Sequence, residues 1–96
     1  MNARALLAWN LRRIHVERGL SQERLAFDAE VHRSYLGGLE RQVENPTIDL
    51  LDRLARTLEV SIRDFFLHPA KGATRPNTLP RGRKSAGAIK RKSKRA

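Results

Sequence analysis

Ninety-six residues suffice for one small domain, and the lack of cysteine excludes a disulfide framework, a thiolate metal site and a cysteine nucleophile. The formal net charge of +10 is unevenly placed: residues 1–67 hold ten Arg and ten Asp or Glu, whereas residues 68–96 hold five Arg, five Lys and no acid. A neutral body with a basic arm points to a polyanion as partner, and the continuous apolar runs are too short to span a membrane.

In chain order, Met1 to Val16 is basic and free of acids, faintly like a transit peptide. Arg12 and Arg13 interrupt it and no small-residue cleavage signal follows, so it is read as a first helix with Leu7, Leu11 and Ile14 as its apolar stripe. Gly19 stops that helix. Ser21 caps a second helix, with Glu23 at its positive start and Leu25, Ala26 and Ala29 facing inward. The turn at Glu30-Val31 leads into a third helix, expected from about Arg33 to Gln42, with Leu36 and Leu39 inside. Asn45-Pro46 breaks the chain. Thr47 caps a fourth helix with a stripe of Ile48, Leu51, Leu54, Ala55 and Leu58. Ser61 with Asp64 makes a capping-box start for a last turn carrying Ile62, Phe65 and Phe66. The expected fold class is all-α, five short helices over residues 1–68. From Pro69 to Ala96 the composition is rich in Pro, Gly, Ser, Lys and Arg and cannot bury enough surface to offset ordering, so a disordered basic tail is expected.

The second and third helices carry the functional signal. Two short helices joined by a tight turn cross closely, which demands a small residue at the crossing, here Ala26, and apolar anchors on the next helix, here Leu36 and Leu39. The linked string "LSQ..LA", "RSYL..LER", "NPT...L..LA..L.VS" and "FF" over roughly residues 6–67 resembles the Cro/repressor-type (XRE-like) helix-turn-helix transcriptional regulators. Within that family it is most similar to the restriction-modification controller proteins and to prophage regulators.

The resemblance implies a bacterial, cytoplasmic and nucleoid-associated regulator, a repressor by type, that binds double-stranded DNA with its third helix in the major groove. Gln22 falls where the family contacts a backbone phosphate, and a helix N-terminus offers free amides to the same group. On the third helix Arg33, Ser34, Gly37, Gly38 and Arg41 share the side opposite the leucine anchors. Arg33 can fork onto guanine O6 and N7, though it can equally be a solvated arginine. Ser34 can bond a base or phosphate, or satisfy the helix start. Tyr35 can offer its hydroxyl to phosphate or pack its ring on the domain. His32 reads as an N-terminal cap or a phosphate donor. Asn45 joins the DNA-contacting candidates. Gly37 and Gly38 each weaken a helix interior by about 1 kcal/mol; either bare backbone sits deep in the groove, the reading we favour, or a side chain packs over them.

Three positions depart from the family pattern. Glu30 and Gln42 stand where glycine is frequent, and a positive φ at Glu30 carries a conformational cost. The loop after the third helix reads Val43-Glu44 where Lys or Arg is usual, and Glu44 beside a phosphate is repulsive unless it turns away. The tail "RGRKSAGAIKRKSKRA" can compensate by neutralising phosphates, or it can be a solubilising appendage.

A homodimer is expected from the resemblance, since one recognition helix covers few base pairs, with Ile62, Phe65, Phe66 and Leu67 as its contact surface, some of them core instead. Trp9 and Phe27 fall toward outer positions. No enzyme signature is present: His15, His32 and His68 lack ligand-like spacing, no nucleophile-base or phosphate-loop motif occurs, and no cofactor or metal is expected. The alternatives are an antitoxin-type autorepressor with a protein partner and a nonspecific polyanion binder working through the tail.

Overall fold

The computed structural model describes residues 1–74. The expectations for the rest of the basic tail lie outside them. Four α-helices follow in order: α1 Ala3–Glu17, α2 Gln22–Ala29, α3 Arg33–Glu40 and α4 Ile48–Leu58; a 3₁₀ turn spans Ile62–Phe66. The expected fifth helix is thus a 3₁₀ segment, and no strand occurs among the described residues. No described helix is long and apolar enough to cross a membrane.

The helix starts are set by side chains that accept the first free amides. Asn2 Oδ1 accepts from Ala5 N at 2.9 Å, Ser21 Oγ from Arg24 N at 3.0 Å and Thr47 Oγ1 from Leu50 N at 3.0 Å. The 3₁₀ turn opens with the expected capping box, in which Ser61 N donates to Asp64 Oδ2 at 2.9 Å. His32 occupies the same position before α3 but makes no side-chain cap hydrogen bond, which corrects the capping expectation for it.

All four helices end alike. Gly19, Glu30, Gln42 and Glu59 adopt positive φ of 73°, 59°, 66° and 61°. The next residue, Leu20, Val31, Val43 or Val60, sends its amide back five residues, to the carbonyls of His15, Ala26, Gly38 and Ala55 at 2.9–3.0 Å. Only one of the four left-handed residues is glycine. At Gln42 this reversal ends α3 at Glu40, two residues before the sequence suggested.

The stripes converge on one core: Leu7, Leu11 and Ile14 from α1, Leu25, Ala26 and Ala29 from α2, Leu36 and Leu39 from α3, and Leu51, Leu54, Ala55 and Leu58 from α4. Ile48, expected in the α4 stripe, is 70% exposed because it is the first helical residue, outside the packed stretch. Phe65 is fully enclosed at 0% exposure. It is therefore core, and of the expected dimer-contact residues only Ile62, Phe66 and Leu67 present surface, Leu67 the most at 49%.

Two polar clasps close the ends of the fold. The Asn10 amide, buried on α1, donates to Leu6 O at 2.9 Å, Phe65 O at 3.0 Å and Leu67 O at 2.8 Å, tying the 3₁₀ turn to α1. Arg18 Nε donates to Leu58 O at 2.6 Å, holding the end of α4.

Glutamate at φ 59° carries a left-handed strain that glycine lacks. Glu30→Gly is expected to stabilise the domain by about 0.5–1 kcal/mol, the strain relief being offset in part by the freer unfolded chain. Thermal unfolding followed by circular dichroism is expected to show a Tm rise of roughly 2–8 °C; a fall would mean that the Glu30 side chain stabilises the turn in its own right.

Candidate nucleic-acid interface

The second and third helices meet through small and apolar side chains. Ala26 and Ala29 on α2 are buried, and Leu36 and Leu39 insert from α3. The three-residue turn Glu30 to His32 redirects the chain because Glu30 is left-handed and Val31 N returns to Ala26 O at 2.9 Å. With its inner face committed, α3 turns its opposite side outward.

What fixes α3 most firmly is a charged residue on its inner face. Glu40, four residues after Leu36, is 2% exposed. Its Oε2 lies 2.7 Å from His15 Nε2, and its Oε1 accepts from Arg12 Nε at 3.0 Å. His15 is itself fully buried, and its Nδ1 meets the Leu20 carbonyl at 2.7 Å. Burial pushes the Glu40 carboxyl upward. The hydrogen bond and charge of His15, then the hydrogen bonds of Arg12 and Gln22, outweigh burial and hold it below its ordinary value. Gln22, at the start of α2, thus joins the same cluster and links both helices of the motif to α1.

This cluster lies outside the candidates read from residue spacing. A signal was present, since Glu40 falls on the Leu36 stripe and His15 lies four residues after Leu11, so both are polar residues at inward positions.

The exposed side of α3 brings together most of the DNA-contacting candidates. His32, Arg33, Ser34 and Arg41 are exposed, as is Asn45 in the following loop. Tyr35 is half-buried and packs its ring against the core. Gln22 is half-buried at the α2 start.

The glycine pair differs from expectation. Both glycines are buried by neighbouring side chains. A Cβ at Gly37 would lie 3.1 Å from Arg41 Nη1, and one at Gly38 would lie 2.7 Å from Glu44 Cγ and 3.0 Å from Glu44 Oε2. Bare backbone here leaves room for the protein's own Arg41 and Glu44 side chains. The loop that carries Glu44 is pinned from α1, where Arg4 Nε donates to Glu44 O at 3.1 Å.

Away from α3, Phe27 stands 74% exposed on α2 with the Arg24 guanidinium 5.6 Å from its ring centre. Trp9 is half-buried in a hollow it shares with Leu67, His68 and Pro69. Among the described residues no group of three His, Asp or Glu is placed to hold a metal ion.

The family model described as Helix-turn-helix matches residues 11–65, more than half of the chain. The chain belongs to the helix-turn-helix family. It is of the XRE type, and so a DNA-binding transcription regulator. It is similar to the control protein C.BamHI of Bacillus amyloliquefaciens, 33% identical over 68% of this chain and 82% of that protein. Among solved structures, the hypothetical transcription factor NHTF from Neisseria superposes with a TM-score of 0.69 at 33% identity, over 73% of this chain and 80% of that one. The restriction-modification controller protein C.AhdI of Aeromonas hydrophila does so with a TM-score of 0.63 at 36% identity, over 66% of this chain and 96% of that one. The family match begins at Leu11 and ends at Phe65, enclosing α2 and α3 whole and every residue of the Glu40 cluster.

Removing the Glu40 carboxylate takes a hydrogen-bond partner from the fully buried His15 and breaks the ion pair with Arg12, so Glu40→Ala is expected to destabilise the domain by about 3–5 kcal/mol in urea unfolding at neutral pH. The lowered carboxyl also gives stability a pH dependence. It contributes fully above the unfolded value of 4.5 and less as pH falls through the lower folded value. Glu40→Gln is expected to flatten the acid limb of stability against pH below 4.5; an unchanged limb would show that other carboxylates set it.

Proposed function

We propose that the chain is a sequence-specific regulator that binds a palindromic operator as a homodimer, with α3 entering the major groove by its N-terminal end. One observation carries the reading: Arg33 and Ser34 on α3, with His32 and Arg41 flanking its two ends, are exposed, while the helix is fixed from its inner side by Leu36, Leu39 and Glu40. A rigid helix with a polar outer side suits the major groove, whose edges present a distinct donor and acceptor pattern for each base pair.

Arg33, at the first turn of α3, reads guanine through its two-pronged guanidinium. Ser34 and the amides at the start of α2 beside Gln22 hold phosphates that fix register. The dimer forms through Ile62, Phe66 and Leu67, which present surface after α4, so that two α3 helices lie about 34 Å apart, one turn of the duplex. The similarity to proteins named as control proteins and transcription regulators supports a regulatory and not an enzymatic role, exercised in the cytoplasm.

Selection of bound sequences from a random double-stranded pool tests this directly. The expected product is an inverted repeat whose half-sites contain a G·C pair, and Arg33→Ala is expected to lose about 1–3 kcal/mol and relax that pair. An unchanged motif and affinity in Arg33→Ala would contradict the assignment. Truncation after residue 74 is expected to keep the motif while making the slope of log affinity against log salt shallower, by about 0.9 for each phosphate released. Loss of the motif on truncation would instead favour a polyanion binder.

A further inference from the structure

Glu44 and Gly38 occupy one another's space. The Glu44 side chain leaves the α3–α4 loop and lies back over α3, with its Cγ 2.7 Å and its Oε2 3.0 Å from where a Cβ on residue 38 would stand. Any side chain at position 38 would displace it. Gly38 lies on the same side of α3 as Arg33, Ser34 and Arg41. The outward side of the helix therefore lacks a side chain of its own at this point and carries a loop carboxylate in its place.

Two further observations give that carboxylate a role. Its backbone is fixed, since Arg4 Nε binds the Glu44 carbonyl at 3.1 Å, so the loop is anchored to α1. The carboxylate itself makes no hydrogen bond or ion pair with any described residue, although Arg41 lies nearby on the same glycine pair. Its acceptors are thus left unused on the side of α3 that carries Arg33, Ser34 and Arg41, and the residue is partly exposed there.

We propose that Glu44 is a specificity-determining residue that accepts a hydrogen bond from the exocyclic N4 amino group of a cytosine in the major groove. The proposal rests on the DNA-binding reading of α3. Within the groove, an ionised carboxylate has acceptors only, so it meets a cytosine amino donor and is repelled by the acceptor-rich edge of guanine. It is repelled as well by the phosphates that flank the groove. A register in which no amino group faces Glu44 leaves a desolvated charge without a donor, so the residue acts against wrong sequences as much as for the right one. The glycine at 38 is then required, because it is the space into which the carboxylate folds.

The experiment is selection from a random duplex pool with the full chain as wild type, Glu44→Ala and Glu44→Gln. For the wild type, the expected motif contains a C·G pair distinct from the pair read by Arg33. In Glu44→Ala that position alone is expected to lose its preference, a drop of about ten-fold or more in discrimination, with the rest of the motif kept. In Glu44→Gln the preference is expected to move toward adenine, whose N6 and N7 suit a carboxamide. Both variants remove the same charge. If Glu44 merely repels phosphate, both will bind every sequence more tightly with an unaltered motif, and the proposal is overturned. A wild type that selects no motif at all would overturn the DNA-reading role of α3 as well. A motif that is altered by Arg33→Ala and untouched by either Glu44 variant would overturn the Glu44 assignment alone.

Discussion

The exposed side of α3 is available only because its inner side is held by a buried carboxylate. An eight-residue helix with two glycines has little stability of its own. Its orientation comes from Leu36 and Leu39 in the core and from Glu40, whose two oxygens are taken by His15 and Arg12 of α1. Burying a carboxylate without such partners carries a penalty of several kcal/mol, so the helix cannot slide or rotate without stranding it. An apolar contact in the same place would tolerate slippage; the directional pair fixes both the rotation and the depth of α3. Gln22 joins the cluster from α2, so the two helices of the motif and α1 are tied at one point.

Much of this fold could be read from residue spacing. The apolar stripes of α1, α2 and α4, the caps at Ser21 and Thr47, and the capping box at Ser61 and Asp64 all follow from rules that operate within a few residues. Helix ends were harder to read. Gly19 announces its left-handed turn, but Glu30, Gln42 and Glu59 adopt the same conformation with no glycine to mark it. Val31 and Val60 pack against the core just beyond two of these residues, whereas Val43, after Gln42, is exposed. The expected boundary of α3 ran two residues long because no glycine marks the reversal at Gln42.

The exposure of the candidate surface could be read in part from spacing. Arg33, Ser34 and Arg41 follow from helical spacing once Leu36 and Leu39 are taken as anchors. His32 makes no cap, Phe65 belongs to the core, and Ile48 is exposed; each depends on contacts far apart in the chain. The covered glycines were the least accessible to spacing rules, since the covering side chain of Gly38 arrives from a loop six residues later. Long-range polar contacts such as Asn10 to the Phe65 and Leu67 carbonyls, and Arg18 to the Leu58 carbonyl, lie beyond any periodic pattern.

Charge is distributed in keeping with a division of labour. The body to Leu67 is neutral, ten arginines against ten acids, so it offers a polyanion little net attraction and must bind through placed contacts. The basic excess lies wholly in residues 68–96. The central claim, that the outer side of α3 enters the groove while its inner side stays clamped, is tested most directly by nuclear magnetic resonance. The measurement is the amide shift of the isotopically labelled chain on adding a duplex carrying its selected site. The result expected is that the largest changes fall at His32, Arg33, Ser34 and Arg41, with Leu36, Leu39 and Glu40 still protected from hydrogen exchange. Changes confined to residues beyond 74, with α3 unmoved, would contradict it.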